Sequence, residues 1–162
     1  MKKILIASDH AGFELKQALI PLLHDMGYEV KDFGAHSFVE DDDYPDYIAP
    51  LAKEVSESGG VEQGIVIGGS GQGEAIVANR FRHVRAIVCN GISDQHNHDT
   101  VNPLNFMVQT ARAHNDANVL SLGARFLAVS DAKEAVKTFL TTEFSEEKRH
   151  ERRLKKLDEL SK

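Results

Sequence analysis

The chain has 162 residues, enough for one domain with a sizeable core. Its composition, 41% hydrophobic and 27% charged, is that of a soluble globular protein, and a formal net charge of −6 argues against a nucleic-acid partner, which needs a basic face. No apolar run is long enough to span a bilayer, and the single cysteine, Cys89, excludes an intrachain disulfide and fits a reducing cytoplasm.

Apolar runs alternate with helical patterns along the chain. "KILIAS" reads as a first strand rather than a signal peptide, because Asp9 ends the run. "GFELKQALIPLLHDMG" carries Phe13, Leu15, Leu19, Leu22, Leu23 and Met26 at helical spacing and stops near Gly27. "EVKDFG" is the second strand. "PDYIAPLAKEVSES" is the next helix, with Pro45 in its first turn and Pro50 as a candidate break. "GIVIGG" then reads as a strand, "GEAIVANRF" as a helix, "RAIVCN" as a strand, "NPLNFMVQTARAHN" as a helix and "NVLSLGA" as the fifth strand. "SDAKEAVKTFLTTEF" follows as a helix. The charged tail "SEEKRHERRLKKLDELSK" predicts a last helix whose apolar edge is Leu154, Leu157 and Leu160, too narrow for the core and suited to lie over the body or reach a partner subunit.

Such alternation predicts a single α/β domain: a doubly wound, Rossmann-like, mostly parallel five-stranded sheet flanked by helices, with a C-terminal helix. Ligands of such sheets bind at the carboxyl ends of the strands. Three motifs fall there: "SDHAG" after strand one, "GGSGQGEA" after strand three and "GAR" after strand five.

The glycine loop spaces Gly68 and Gly73 like a nucleotide phosphate loop, yet Glu74 stands where that loop needs lysine. The dinucleotide and nucleophile-elbow patterns also fail at Glu74 and Gln72. What remains is an anion cradle, in which glycines let main-chain N–H groups converge at a helix N-terminus and Ser70 adds a hydroxyl. Glu74 has two readings: a first-turn acid favoured by the helix dipole, or a general base beside an oxyanion that forms during reaction. Asp9 can exchange a proton with a hydroxyl and His10 can donate to a phosphate. "ARAHNDAN" ends its helix with His114 and Asn115, and taken alone His114 reads as a C-terminal histidine interacting with the helix dipole rather than as a site residue. Arg149 and Arg153, four apart, share a face able to grip a phosphate; otherwise the run "EEKRHERRLKK" is a solvated helix face. "SDQHNHD" offers Asp94, His96, His98 and Asp99, but such crowding in a loop argues against a metal site. The acidic run Asp41-Asp42-Asp43 reads as a solvated loop.

Taken in order, "SDHAG", "DYPDY", the glycine loop with "ANR", "HNDANVL", "GAR" and "RHERR" make the chain resemble the ribose-5-phosphate isomerase B family, which includes galactose-6-phosphate isomerase subunits. The resemblance covers nearly the whole chain. It implies a homodimer or dimer of dimers with shared active sites, a sugar-phosphate substrate, and no metal or organic cofactor. Most members carry a cysteine base after strand three, where this chain has Gly68. A subgroup with G-G-S-G-x-G-E uses the glutamate instead, so the resemblance implies Glu74 as base. It further implies Ser70 with the N–H groups of Gly69, Gly71 and Gly73 around an enediolate, and Asp9 with His114 of the partner in ring opening. Tyr44 and Asn115 would position the sugar, and His10, Arg125, Arg149 and Arg153 would hold the phosphate. The segment between Cys89 and His114 is longer than the family pattern, which opens the sugar identity to galactose, allose or tetrulose phosphates. A non-catalytic sugar-phosphate binding module is the reading from another class, although such a module has no use for Glu74.

Overall fold

The computed structural model describes residues 2–91 and 103–160. The elements are β1 (Lys3–Ser8), α1 (Phe13–Asp25), β2 (Glu29–Asp32), α2 (Tyr44–Glu57), β3 (Gln63–Gly68), α3 (Gln72–Ala78), β4 (Ala86–Cys89), α4 (Pro103–Asn115), β5 (Val119–Gly123), α5 (Val129–Thr141) and α6 (Lys148–Leu160), with a 3₁₀ turn over His10–Gly12. Every expected strand and helix is present. Pro50 does not break α2: it lies on the exposed face, while Ile48, Leu51, Ala52 and Val55, at i, i+3, i+4 and i+7, are buried.

The five strands are all parallel, in the order β2-β1-β3-β5-β4. Alternation along each strand feeds two cores. Ile4, Ile6, Ile65, Ile67, Leu120 and Leu122 pack with α1, α4 and α5; Leu5, Ala7, Val66 and Val119 pack with α2 and α3. Both faces are therefore covered, which is why β3 and β5 are buried at every position.

From β1 the chain crosses to β2 on one side, and from β3 it crosses to the opposite side of the sheet. The order reverses there, so a crevice opens at the carboxyl ends of β1 and β3. Lys16, with no exposed surface, braces this end: its ammonium donates to both Asp32 oxygens (2.8 and 2.9 Å) and to the Ala35 carbonyl (2.6 Å). Among the described residues no helix is long and apolar enough to cross a membrane.

Candidate active site

β1 delivers Asp9 and His10 to the crevice. The Asp9 side chain is pinned, because its Oδ1 accepts the Gly12 N–H at 3.1 Å and the residue is 6% exposed. His10 is held by a residue the sequence reading assigned to solvent. The Asp42 side chain is only 5% exposed, and its Oδ1 accepts the His10 main-chain N–H at 3.0 Å and the His10 Nδ1–H at 2.7 Å. Asp42 is thus no solvated loop residue; three successive aspartates gave no signal to single out the middle one. Its bond holds the His10 imidazole above its ordinary pKa, and Asp9 adds to this while Arg125 opposes it.

β3 delivers the glycine loop. Gly71, with φ of 78°, turns the chain into α3, and its carbonyl accepts the Ser121 hydroxyl at 2.6 Å. The Gly68 and Gly69 carbonyls accept the N–H groups of Ala124 (2.8 Å) and Arg125 (3.1 Å), so "GAR" fastens the loop to the end of β5. Missing side chains admit neighbours: a Cβ on Gly73 would lie 2.8 Å from the Tyr44 ring, and one on Gly69 would lie 3.3 Å from the Arg125 guanidinium. The Ser70 hydroxyl accepts the Gln72 N–H at 3.3 Å.

Glu74, in the first turn of α3, is 4% exposed, and its carboxylate fills the space that a β-carbon on Gly68 would need. Burial raises its pKa and the Asp9 charge adds to the effect; the N–H groups of Gly71 and of Glu74 itself oppose it. A carboxylate that burial makes more basic, facing a cavity lined by the glycine loop, is equipped to accept a proton.

Asp9, His10, Tyr44, Gly69, Ser70, Gly73, Glu74, Arg125 and the unpredicted Phe126 line one cavity of about 380 Å³, the size of a small-molecule site. The remaining expected site residues do not line it. His114 and Asn115 are exposed at the end of α4, Asn115 facing a separate cavity with Leu157 and Asp158 of α6. Arg149 and Arg153 are exposed on α6, Arg149 pairing with Glu147 at 2.8 Å. Between these two arginines, His150 is not part of a solvated face. It is 1% exposed, its ring stacked on that of His114 with centroids 4.4 Å apart. Its place on the apolar stripe with Leu154 and Leu157, at i, i+4 and i+7, was the available signal.

Asp9, His10 and Asp42 bring possible metal-ligating atoms within 4.8 Å of one another, but Asp9 Oδ1 and Asp42 Oδ1 are already engaged by Gly12 and His10. Asp94, His96, His98 and Asp99 lie outside the described residues. Cys89 is fully buried and its thiol is pushed up to about 12, chiefly by burial.

The family of ribose/galactose isomerases matches residues 4–157. Ribose-5-phosphate isomerase B of Mycolicibacterium paratuberculosis is 37% identical over 153 residues, covering 94% of this chain and 87% of that protein. The ribose-5-phosphate isomerase B structure from Clostridium thermocellum superposes with a TM-score of 0.83 at 40% identity, covering 98% of this chain and 96% of its own. That from Mycoplasma genitalium, solved with bound ribulose-5-phosphate, gives a TM-score of 0.86 at 32% identity, covering 98% and 95%. The chain described here belongs to the ribose/galactose isomerase family, on the branch of the type B ribose-5-phosphate isomerases.

Proposed function

We propose that this isomerase interconverts ribose 5-phosphate and ribulose 5-phosphate through an enediolate, with Glu74 as the base. The observation that carries the reading is the buried Glu74 carboxylate, seated where Gly68 has no side chain and facing the same cavity as the glycine loop. Glu74 takes the C2 proton and returns it to C1. Ser70 and the loop N–H groups stabilise the oxyanion, and each of these two contributions is of the order of a hundredfold or more in rate. Asp9 exchanges a proton with the ring hydroxyl, and Tyr44 positions the sugar. His10 and Arg125 take the phosphate; a dianion is well matched to a histidine that its bond to Asp42 biases toward the charged form.

His114, Asn115, Arg149 and Arg153 serve the pocket of a second copy of the chain, so the working unit is a homodimer or a dimer of such dimers. Support comes from their exposure on α4 and α6 and their absence from the cavity lining. No step calls on a metal or organic cofactor, because base, anion cradle and phosphate cations are all side chains or main chain.

The test is incubation of wild type and Glu74→Gln with ribose 5-phosphate in deuterated, chelator-treated buffer. Isomerisation with deuterium entering the sugar, abolished in the variant, supports the reading. Normal isomerisation by Glu74→Gln defeats it. A parallel panel of galactose, allose and tetrulose phosphates fixes the sugar, and turnover confined to one of those moves the assignment to that substrate.

A further inference from the structure

His114 ends α4 as an exposed histidine, and a free imidazole there samples several rotamers. What limits it is His150. The two rings lie 4.4 Å apart with planes tilted by 30°, and His150 is itself 1% exposed. His150 is fixed in turn. Its Nδ1 meets the Ser145 hydroxyl at 2.7 Å, and its main-chain N–H reaches the Glu147 carbonyl at 2.7 Å. Ser145 belongs to the segment that ties the tail back to α4, because its N–H donates to the Ala113 carbonyl, one residue before His114, at 3.0 Å. The Ser145 oxygen also takes the Glu147 N–H at 3.5 Å, so the hydroxyl that meets the ring is itself anchored at the start of α6. A leucine or phenylalanine would fill this position with no polar group to satisfy.

Burial holds the His150 pKa down, and the neighbouring His114, Arg149 and Arg153 push the same way against Glu147. The ring beneath His114 is thereby biased toward its uncharged form, an aromatic plate against which the His114 ring packs.

We propose that His150 is a positioning residue for His114: seated on Ser145 and buried under α4, it fixes the plane of the imidazole that opens the furanose in the neighbouring subunit's pocket. This rests on the reading of His114 as a ring-opening group. It adds that "RHERR" carries two functions on one helix, its arginines for phosphate and its histidine for geometry.

The reaction itself offers a separating experiment. Ribulose 5-phosphate has no free C5 hydroxyl and cannot close a five-membered ring. Exchange of its C1 proton with solvent therefore needs base and anion cradle but no ring step, whereas net conversion to cyclic ribose 5-phosphate involves both. Wild type, His150→Leu, His150→Phe and Ser145→Ala are compared for C1 deuterium exchange and for net interconversion, with His114 followed by its imidazole proton resonances. His150→Leu should lower net interconversion by at least about tenfold, as a small misplacement of a reacting group does. Exchange should stay within about twofold, while the His114 resonances lose their ring-current shift. His150→Phe should restore most of the rate by restoring the stack, and Ser145→Ala, which leaves the buried volume unchanged, should show a weaker form of the same split. Equal loss of exchange and interconversion, or no loss of either, overturns the proposal, as does a Phe variant no better than Leu. A wild type that exchanges no deuterium would instead overturn the isomerase reading, while the His114 resonances still report whether the two rings are coupled.

Discussion

Asp42 Oδ1 receives both the main-chain N–H and the ring Nδ1–H of His10, at 3.0 and 2.7 Å. One carboxylate oxygen thereby orients the histidine and favours its protonated form. A histidine raised in the folded state contributes stability that is complete below its unfolded pKa and lost as pH rises through the raised value. On the proposed role of His10 as a phosphate ligand, phosphate affinity follows the same sign. In wild type, KM for the sugar phosphate should climb as pH rises through the elevated His10 value. In Asp42→Asn that climb should begin at lower pH, with KM about tenfold higher at neutrality, the scale of one charge-assisted bond, and kcat little changed. Superimposable KM profiles would remove Asp42 from this role.

Glu74 titrates with the same direction of shift and the opposite functional consequence. As a base it works ionised, so kcat/KM should rise with pH and reach half its plateau above the ordinary glutamate value. Because its folded pKa is raised, its contribution to stability is full below the unfolded value and lost as pH rises. Glu74→Gln should therefore melt no lower than wild type at neutral pH, with the difference vanishing in acid, while kcat falls at least about a hundredfold. A variant that is both inactive and markedly less stable at neutrality would show that the carboxylate is mainly structural.

Gly68 should be intolerant of any side chain. Its backbone is not in the left-handed region, so the obstacle is volume: a methyl group would displace the Glu74 carboxylate. Gly68→Ala should fold, retain sugar-phosphate affinity and lose at least about tenfold in kcat. Wild-type kcat would mean that the carboxylate works from another position.

Glu74→Gln and His114→Ala chains, each inactive alone, should recover activity on mixing if subunits exchange, because one pocket of each hybrid dimer is then intact. Hybrids shown by mass spectrometry to form yet remaining inactive would place both residues in one pocket. The same logic assigns the arginines: Arg153→Ala should raise KM about tenfold and be complemented by Glu74→Gln only if Arg153 serves across the interface.

The sheet was legible because buried parallel strands read as unbroken apolar runs, as in "GIVIG" of β3, and the crevice followed from strand order. The cavity residues after β1 and β3 were legible for the same reason. Asp42 was hidden among three like residues, since burial of one carboxylate depends on a loop path that local pattern does not encode. His150 was masked by the charges around it, although its spacing to Leu154 and Leu157 continued the apolar edge of that helix. The exposure of His114 beside its stacked partner is a tertiary relation between α4 and α6, outside the reach of periodicity.

The empty side chain at Gly68 has a chemical corollary. A thiolate base attracts peroxide, alkylating reagents and soft metals, because the property that lets it take a proton also makes it a nucleophile. In this chain a carboxylate holds that space, and the sole sulfhydryl, Cys89, is sealed in the core with its thiol pushed up to about 12. On the reading of Glu74 as base, iodoacetamide or peroxide at levels that silence a cysteine-based isomerase should leave turnover intact, and inactivation tracking loss of the Cys89 thiol would overturn that expectation.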